Sequence, residues 1–225
     1  SQKIAVLLRG GMIPVAYVYP PEMRSTRDLL RRRTYLMRKR AELLVHVQNT
    51  NSQYNLPEIG KKIAYRANRS GVAERFSDPA VQTSIAADLS LIDFYDTLLN
   101  RLELFITSQA KQQDHHSFYL LRSVPGIGKI LALTILYEIH DITRFPRVQE
   151  FVSYCRLVKC SRQSAGKNYG FSGKKIGNVH LKWAFSEAAV LFLRHNPEGQ
   201  KLLARAVYFI LRREKAFDLT QFLAA

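Results

Sequence analysis

Apolar residues recur every seven positions in two separate stretches. In the first, Leu29, Leu36 and Leu43 form one row, and Leu30, Met37 and Leu44 form the row beside it. In the second, Ile85, Ile92, Leu99 and Ile106 form a row, with Tyr95 and Leu102 between them. Heptad spacing holds one face of a helix against a partner helix, so the pattern predicts long helices over about Glu22–Tyr54 and Asp78–Gln113. Two such helices, separated by a connector of this length, fit either an antiparallel hairpin or a dimerising coiled coil. The connector, "NLPEIGKKIAYRANRSG", reads as a short basic helix and a turn.

Upstream, "SQKIAVLL" is amphipathic and stops at Arg9–Gly11; "MIPVAYVYPPE" then reads as extended chain, with Pro14, Pro20 and Pro21 and alternating Val15, Tyr17 and Tyr19. The sequence starts inside a helical pattern and without Met, which gives the expectation that an upstream segment is missing. Downstream, "HHSFYLL" leads into "RSVPGIGKILALTILYEIHDITRF", where Gly126 and Gly128 make a tight turn that opens a helix at Lys129. "NVHLKWAFSEAAVLFLRH" is a further helix capped by Asn178, with Trp183, Phe185, Leu191 and Phe192 expected in the core; another helix follows, with Pro197 and Glu198 at its start. The expected fold is mainly α: a long coiled-coil helical hairpin, then a compact helical domain with a helix-hairpin-helix-like element and a basic serine loop. The expected division is 1–21 as the end of a truncated upstream domain and linker, 22–116 as the coiled-coil region, and 117–225 as the C-terminal domain. No apolar run approaches the ~20 residues of a membrane-spanning helix.

Charge changes the picture. The 225 residues carry 34 Lys and Arg against 18 Asp and Glu, a formal net charge of +16. Such an excess points to a polyanionic partner, most simply nucleic acid. Over residues 24–40 the first long helix carries Arg24, Arg27, Arg31, Arg32, Arg33, Arg38, Lys39 and Arg40 against a single acid, Asp28. This is more than solubility requires and reads as a phosphate-tracking face rather than a merely solvated one. Asp88, Asp93 and Asp96 read as surface charge rather than a metal site. The six histidines lack metal-ligand spacing, and His140 and His180 read as packing or surface residues. Cys155 and Cys160 form no CxxC pair, which fits a reducing cytoplasm. Glu138 and Asp141 read as structural.

The remaining chemistry lies in "KCSRQSAGKNYGFSGKKIGNVHLKW". Between Glu150 and Glu187 there is no acid, while Arg156, Lys159, Arg162, Lys167, Lys174, Lys175 and Lys182 are all basic. Hydroxyls, glycines and cations together suit a loop that accepts a phosphate beside a nucleophile; Ser161, Ser164 and Ser172 are the candidates. The backbone at Gly126, Gly128 and Lys129 could cradle a second phosphate.

"PGIGKILALTILYEIHDITRF", "SAGK" and "KKIGNVHLKWAFSEAA" together resemble the transposase domain of one insertion-sequence family, the RuvC-like DEDD recombinases related to the Piv invertase. Ser123 to about Arg194 is similar to that domain, and "YVYPPEMRSTRDLLRRRTYLMRKRAELLVHVQ" to the family's linking coiled coil. The resemblance selects Ser164, by its distance from the helix start marked by Lys175, Gly177, Asn178, Leu181 and Lys182. It implies a serine that attacks a DNA phosphodiester and forms a phosphoserine link. It also implies Mg²⁺ held by four acids of an N-terminal RuvC-like domain, DNA as substrate, a structured bridge RNA as guide in some members, and action in the prokaryotic cytoplasm near the nucleoid. Those acids precede the point where this sequence begins, so the chain alone is expected to bind nucleic acid without completing strand transfer. Ala165 stands where the family usually has Gly, with Gly166 next. Near Ala204 to Ala206 a basic segment usual in the family is absent, which would reposition the last helix. The heptad rows imply self-association.

Two other readings stay open on the residues. One is a non-catalytic nucleic-acid scaffold whose coiled coil dimerises. The other is a helix-hairpin-helix repair-type protein that binds through Gly126 to Lys129.

Overall fold

The computed structural model describes residues 2–12, 17–158, 161–164, 167–171, 177–193 and 203–218. It is mainly helical. Helix α1 (Gln2–Arg9) buries none of its residues. Helix α2 (Pro21–Gln53) starts on Pro21, whose fixed φ suits a first helical position, with Glu22 in its first turn. Helix α3 (Pro79–Gln113) starts in the same way on Pro79, and the Asp78 side chain accepts a hydrogen bond from Ala80 N at 2.7 Å.

The two long helices run antiparallel. Three cross-pairs fix the register: Arg33 with Glu103 (2.5 Å), Arg40 with Asp96 (2.6 Å) and His46 with Asp88 (2.5 Å). The expected α3 row, Ile85, Ile92, Leu99 and Ile106, is buried along its whole length. The α2 row differs from expectation. Its buried positions are Thr26, Leu30, Arg33, Val47, Thr50 and Asn51, whereas Leu29, Leu36, Leu43 and Leu44 are half-buried and Met37 is exposed. The reason is that α2 gives two seam positions to arginines, Arg33 and Arg40, which meet acids on α3. Asp88, Asp93 and Asp96 are therefore not loose surface charge: Asp93 and Asp96 both pair with the buried Arg69, and Asp88 with His46.

The connector forms no regular α-helix. It carries two single 3₁₀ turns, Arg66–Asn68 and Ala73–Arg75, and folds over the far end of the helix pair. Ile63, Val72, Phe76 and Ile85 make a small separate core there, under Val47. Arg69 takes the place of a helical ladder by donating to Ile63 O (2.9 Å) and Ala64 O (2.8 Å).

Helices α4 (His115–Arg122), α5 (Lys129–Ile139), α6 (Val148–Tyr154), α7 (Val179–Leu193) and α8 (Leu203–Arg213) surround the main core, which also takes in Leu30, Ile106 and Ala110 of the long helices. Helix α5 is its centre and is buried from Leu131 to Ile139. Phe185 and Phe192 are buried on α7 as expected; Trp183 is only partly covered, and Leu191 is exposed. Helix α8 docks through Ala206, Val207, Tyr208 and Ile210, with Tyr208 Oη donating to Phe145 O at 3.2 Å. The junction that the resemblance marks as unusual abuts residues 194–202, outside the described residues. Cys155 is wholly buried, and burial pushes its thiol pKa up. It should resist iodoacetamide in the native chain and react only after unfolding, as read by peptide mass mapping.

The expected serine loop is a β-hairpin instead. Strand β1 (Ser161–Ser164) pairs antiparallel with β2 (Lys167–Phe171). Glycines and hydroxyls read as loop chemistry in sequence, yet only two residues separate the strands, a spacing at which the flanking residues can ladder. Among the described residues no helix is long and apolar enough to cross a membrane.

Candidate nucleic-acid interface and serine hairpin

Ser164 is the last residue of β1 and pairs across the hairpin with Lys167, which is exposed; Gln163 pairs with Asn168 and Ser161 with Phe171. The register slips between Ser161 and Gln163, a local irregularity that bends a strand. Arg162 lies within β1. Ser172, Lys174 and Lys175 lie outside the described residues.

The described residues on either side of the hairpin in sequence are tied together. Asn178 N donates to Tyr154 O at 2.7 Å, and Arg156 Nε donates to Gly177 O at 2.9 Å. Gly177 has φ +86°, and a Cβ there would lie 2.5 Å from Tyr154 O, so only glycine fits this crossing. Asn178 then caps α7. Its Oδ1 accepts from His180 N (2.9 Å) and Leu181 N (3.1 Å), while its Nδ2 donates to Glu138 Oε2 at 2.7 Å. Lys182 is exposed one turn further on.

Glu138 is 3 % exposed, in the middle of the molecule. Arg31 of α2 grips it with both arms of its guanidinium, Nε to Oε1 at 2.7 Å and Nη2 to Oε2 at 2.8 Å. Burial pushes the Glu138 carboxyl up, but the hydrogen bonds from Arg31 and Asn178 and the Arg31 charge outweigh it, so its pKa lies below the ordinary carboxylate value. The stabilisation this represents is present above the unfolded carboxylate pKa and is lost as pH falls through the depressed one. His180, half-buried beside this group, has its pKa lowered by desolvation; the Glu138 charge opposes that, and Arg31, Arg38 and Arg27 add to it.

A second carboxylate gathers two more of the basic candidates. Glu103 accepts from Arg33 and pairs with Lys129 Nζ at 3.1 Å. Arg31 and Arg33 are thus committed to Glu138 and Glu103, which corrects the picture of one continuous cationic face on α2. Arg40 is held by Asp96 and Lys39 by Glu42. Arg32 stays exposed on α2, with its guanidinium 4.9 Å from the Tyr35 ring centroid.

The glycine turn before α5 divides into two roles. Gly126, at φ +86°, is pressed against α7: a Cβ would lie 2.6 Å from Ala188 O and 2.9 Å from Phe192 N. Gly128 is exposed, extended and the N-cap of α5, with open space where a Cβ would go. Tyr154 is half-buried against Phe145, with Arg144 4.9 Å above its ring. Among the described residues no group of three or more His, Cys, Asp or Glu could hold a metal ion.

Sequence reading passed over Glu138 as the meeting point of α2, α5 and α7. The signal was present: Glu138 is the lone acid in "KILALTILYEI", and a charge inside an apolar run requires a partner.

Residues 119–204 match the model of the family described as Transposase IS116/IS110/IS902. Over 186 residues the chain is 25% identical to the transposase for insertion sequence element IS1111A of Coxiella burnetii (strain RSA 493 / Nine Mile phase I); the match covers 77% of this chain and 48% of that protein. The chain thus spans about half the length of this curated relative. The hairpin, Glu138 and the Asn178 cap all lie within the matched region 119–204.

Proposed function

We propose that this chain is the part of an insertion-sequence DNA transposase that brings a serine nucleophile, Ser164, to a DNA phosphodiester. The observation that carries this reading is the pairing of Ser164 with exposed Lys167 at the end of an acid-free hairpin, inside the region that matches the transposase family. The serine hydroxyl forms a new P–O bond as the bond from phosphorus to a deoxyribose oxygen breaks. The hydroxyl proton is given up, and the departing sugar oxygen takes one on. The phosphoserine keeps the ester bond, so a sugar hydroxyl of another strand can reverse the step and rejoin DNA. Lys167 and the other cations offset the charge that builds on the phosphoryl oxygens. Catalytic acids with Mg²⁺, guidance by a structured RNA and self-association through the long helices belong to the same reading, on the strength of the resemblance.

Covalent trapping tests this. The chain, and a longer polypeptide that adds the upstream part, are incubated with labelled element-end DNA, candidate guide RNA and Mg²⁺, then run on denaturing gels. Protein-linked label that disappears in Ser164→Ala supports the reading. Salt-sensitive binding with no adduct from either polypeptide favours a non-catalytic scaffold.

The α2 arginines separate by role. Arg32→Ala should weaken DNA binding about equally across sequences and lower the slope of log K against log salt by roughly one ion. Arg33→Ala should instead destabilise the fold by roughly 2 kcal/mol, since it removes a buried guanidinium and leaves the half-buried Glu103 with Lys129 alone. Salt titrations and thermal melts of the two variants check this.

A further inference from the structure

We propose that Glu138 is a positioning residue for Ser164, acting through Asn178 and Arg31; this rests on Ser164 being the nucleophile. The hairpin enters the reaction only as well placed as its two ends are. The chain segments that flank it meet at one point, where Asn178 N bonds Tyr154 O and Arg156 bonds Gly177 O. The Asn178 side chain extends that point inward to Glu138, and Arg31 carries it on to α2. The Glu138 carboxylate thus accepts from Arg31 Nε, Arg31 Nη2 and Asn178 Nδ2, donors that belong to two other parts of the chain. The acids between Glu138 and the start of α7 are Asp141 and Glu150. Asp141 is occupied with Thr143 and Glu150 with Arg147. Glu138 therefore references the base of the hairpin to the long helix pair. Misplacing reacting atoms by about 1 Å can cost on the order of 10²-fold in rate, so a bond at the hairpin base can act on chemistry at its tip.

The donor and acceptor pattern gives a test that separates this role from helix capping and from bulk packing. Asn178→Asp keeps the α7 cap, because a carboxylate oxygen accepts from His180 N and Leu181 N as the amide oxygen does. It replaces the Nδ2 donor with an acceptor facing Glu138. Glu138→Gln alone loses one acceptor. In the double variant, the new amide at position 138 donates to the new carboxylate at position 178, and its oxygen still accepts from Arg31 Nε, while Arg31 Nη2 gives up its bond at that position. The tie is then remade with its direction reversed.

Each single variant, in the complete polypeptide that carries this sequence, should slow adduct formation at saturating DNA by about tenfold to a hundredfold, with DNA affinity within roughly threefold of the parent. Amide hydrogen exchange over the peptides spanning 157–177 should speed up in both. The double variant should recover most of the rate and the exchange protection. Exchange over 157–177 unchanged in Asn178→Asp, or a double variant no better than the worse single one, overturns the proposal. A thermal melt guards against loss of the fold. Failure of the underlying reading looks different: the unmodified polypeptide then yields no Ser164-dependent adduct, whatever the exchange pattern.

Discussion

Under the proposed serine mechanism, Ser164→Ala should abolish the covalent protein–DNA link, a loss on the order of 10⁴-fold or more, because no other group in that mechanism forms the phosphoester bond. Binding should survive. The cations proposed to meet DNA phosphate, including Lys167 across the ladder and Lys182 on α7, are untouched, and a single serine contributes little to a charge-driven affinity. Ser161→Ala is the matched control. Ser161 pairs with Phe171 at the opposite end of the ladder from Ser164, so its loss should change the adduct rate only a few-fold. Quantifying adduct per bound DNA separates the two variants. If Ser161→Ala abolishes the adduct and Ser164→Ala does not, the nucleophile lies at the base of the hairpin, and the family spacing has been carried over to the wrong serine.

Gly126→Ala should destabilise the protein by about 3 kcal/mol. Left-handed backbone costs a non-glycine residue ~1 kcal/mol, and forcing a methyl group into closed packing adds typically 1–3 kcal/mol. Here the obstruction is backbone on both sides, Ala188 O at 2.6 Å and Phe192 N at 2.9 Å, so no side-chain rotation relieves it. For a chain of this length the melting temperature should fall by roughly 6 to 12 °C. Gly128→Ala should stay within about 0.5 kcal/mol of the parent, since its φ of −77° suits any residue and nothing stands within 4 Å of the new methyl. Thermal melts with parallel DNA-binding curves decide between the two uses of this turn. A Gly126→Ala variant that melts normally but binds DNA poorly would make Gly126 part of a phosphate cradle rather than a packing contact.

The heptad row of α3 was fully legible, because Ile85, Ile92, Leu99 and Ile106 are apolar wherever their partner lies, and a seven-residue period on one helix needs no knowledge of the other. The α2 row was legible only in part. Arg33 and Arg40 occupy seam positions, and nothing local separates a buried arginine from a solvated one. Their acids, Glu103 and Asp96, lie 70 and 56 residues away along the chain. The same limit applied to Arg31, which reads as one more cation on a basic helix until Glu138 is brought beneath it. The serine segment failed for another reason. Hairpin formation depends on whether the two sides of a short connection can ladder, and a stretch rich in Gly, Ser and Lys gives little β signal of its own.

By itself, then, the sequence determined the long helices, the glycine-opened helix α5, the Asn178 cap and the acid-free cationic stretch around Ser164, since each rests on local spacing, local capping or local charge. Tertiary structure alone decided which arginines face solvent, that Gly126 packs against α7 while Gly128 lies open, and that Glu138 ties α2 to the base of the hairpin. Those are questions of which distant carboxylate or backbone atom comes within a few ångströms, and burial, which makes such encounters obligatory for charged groups, is a property of the folded whole.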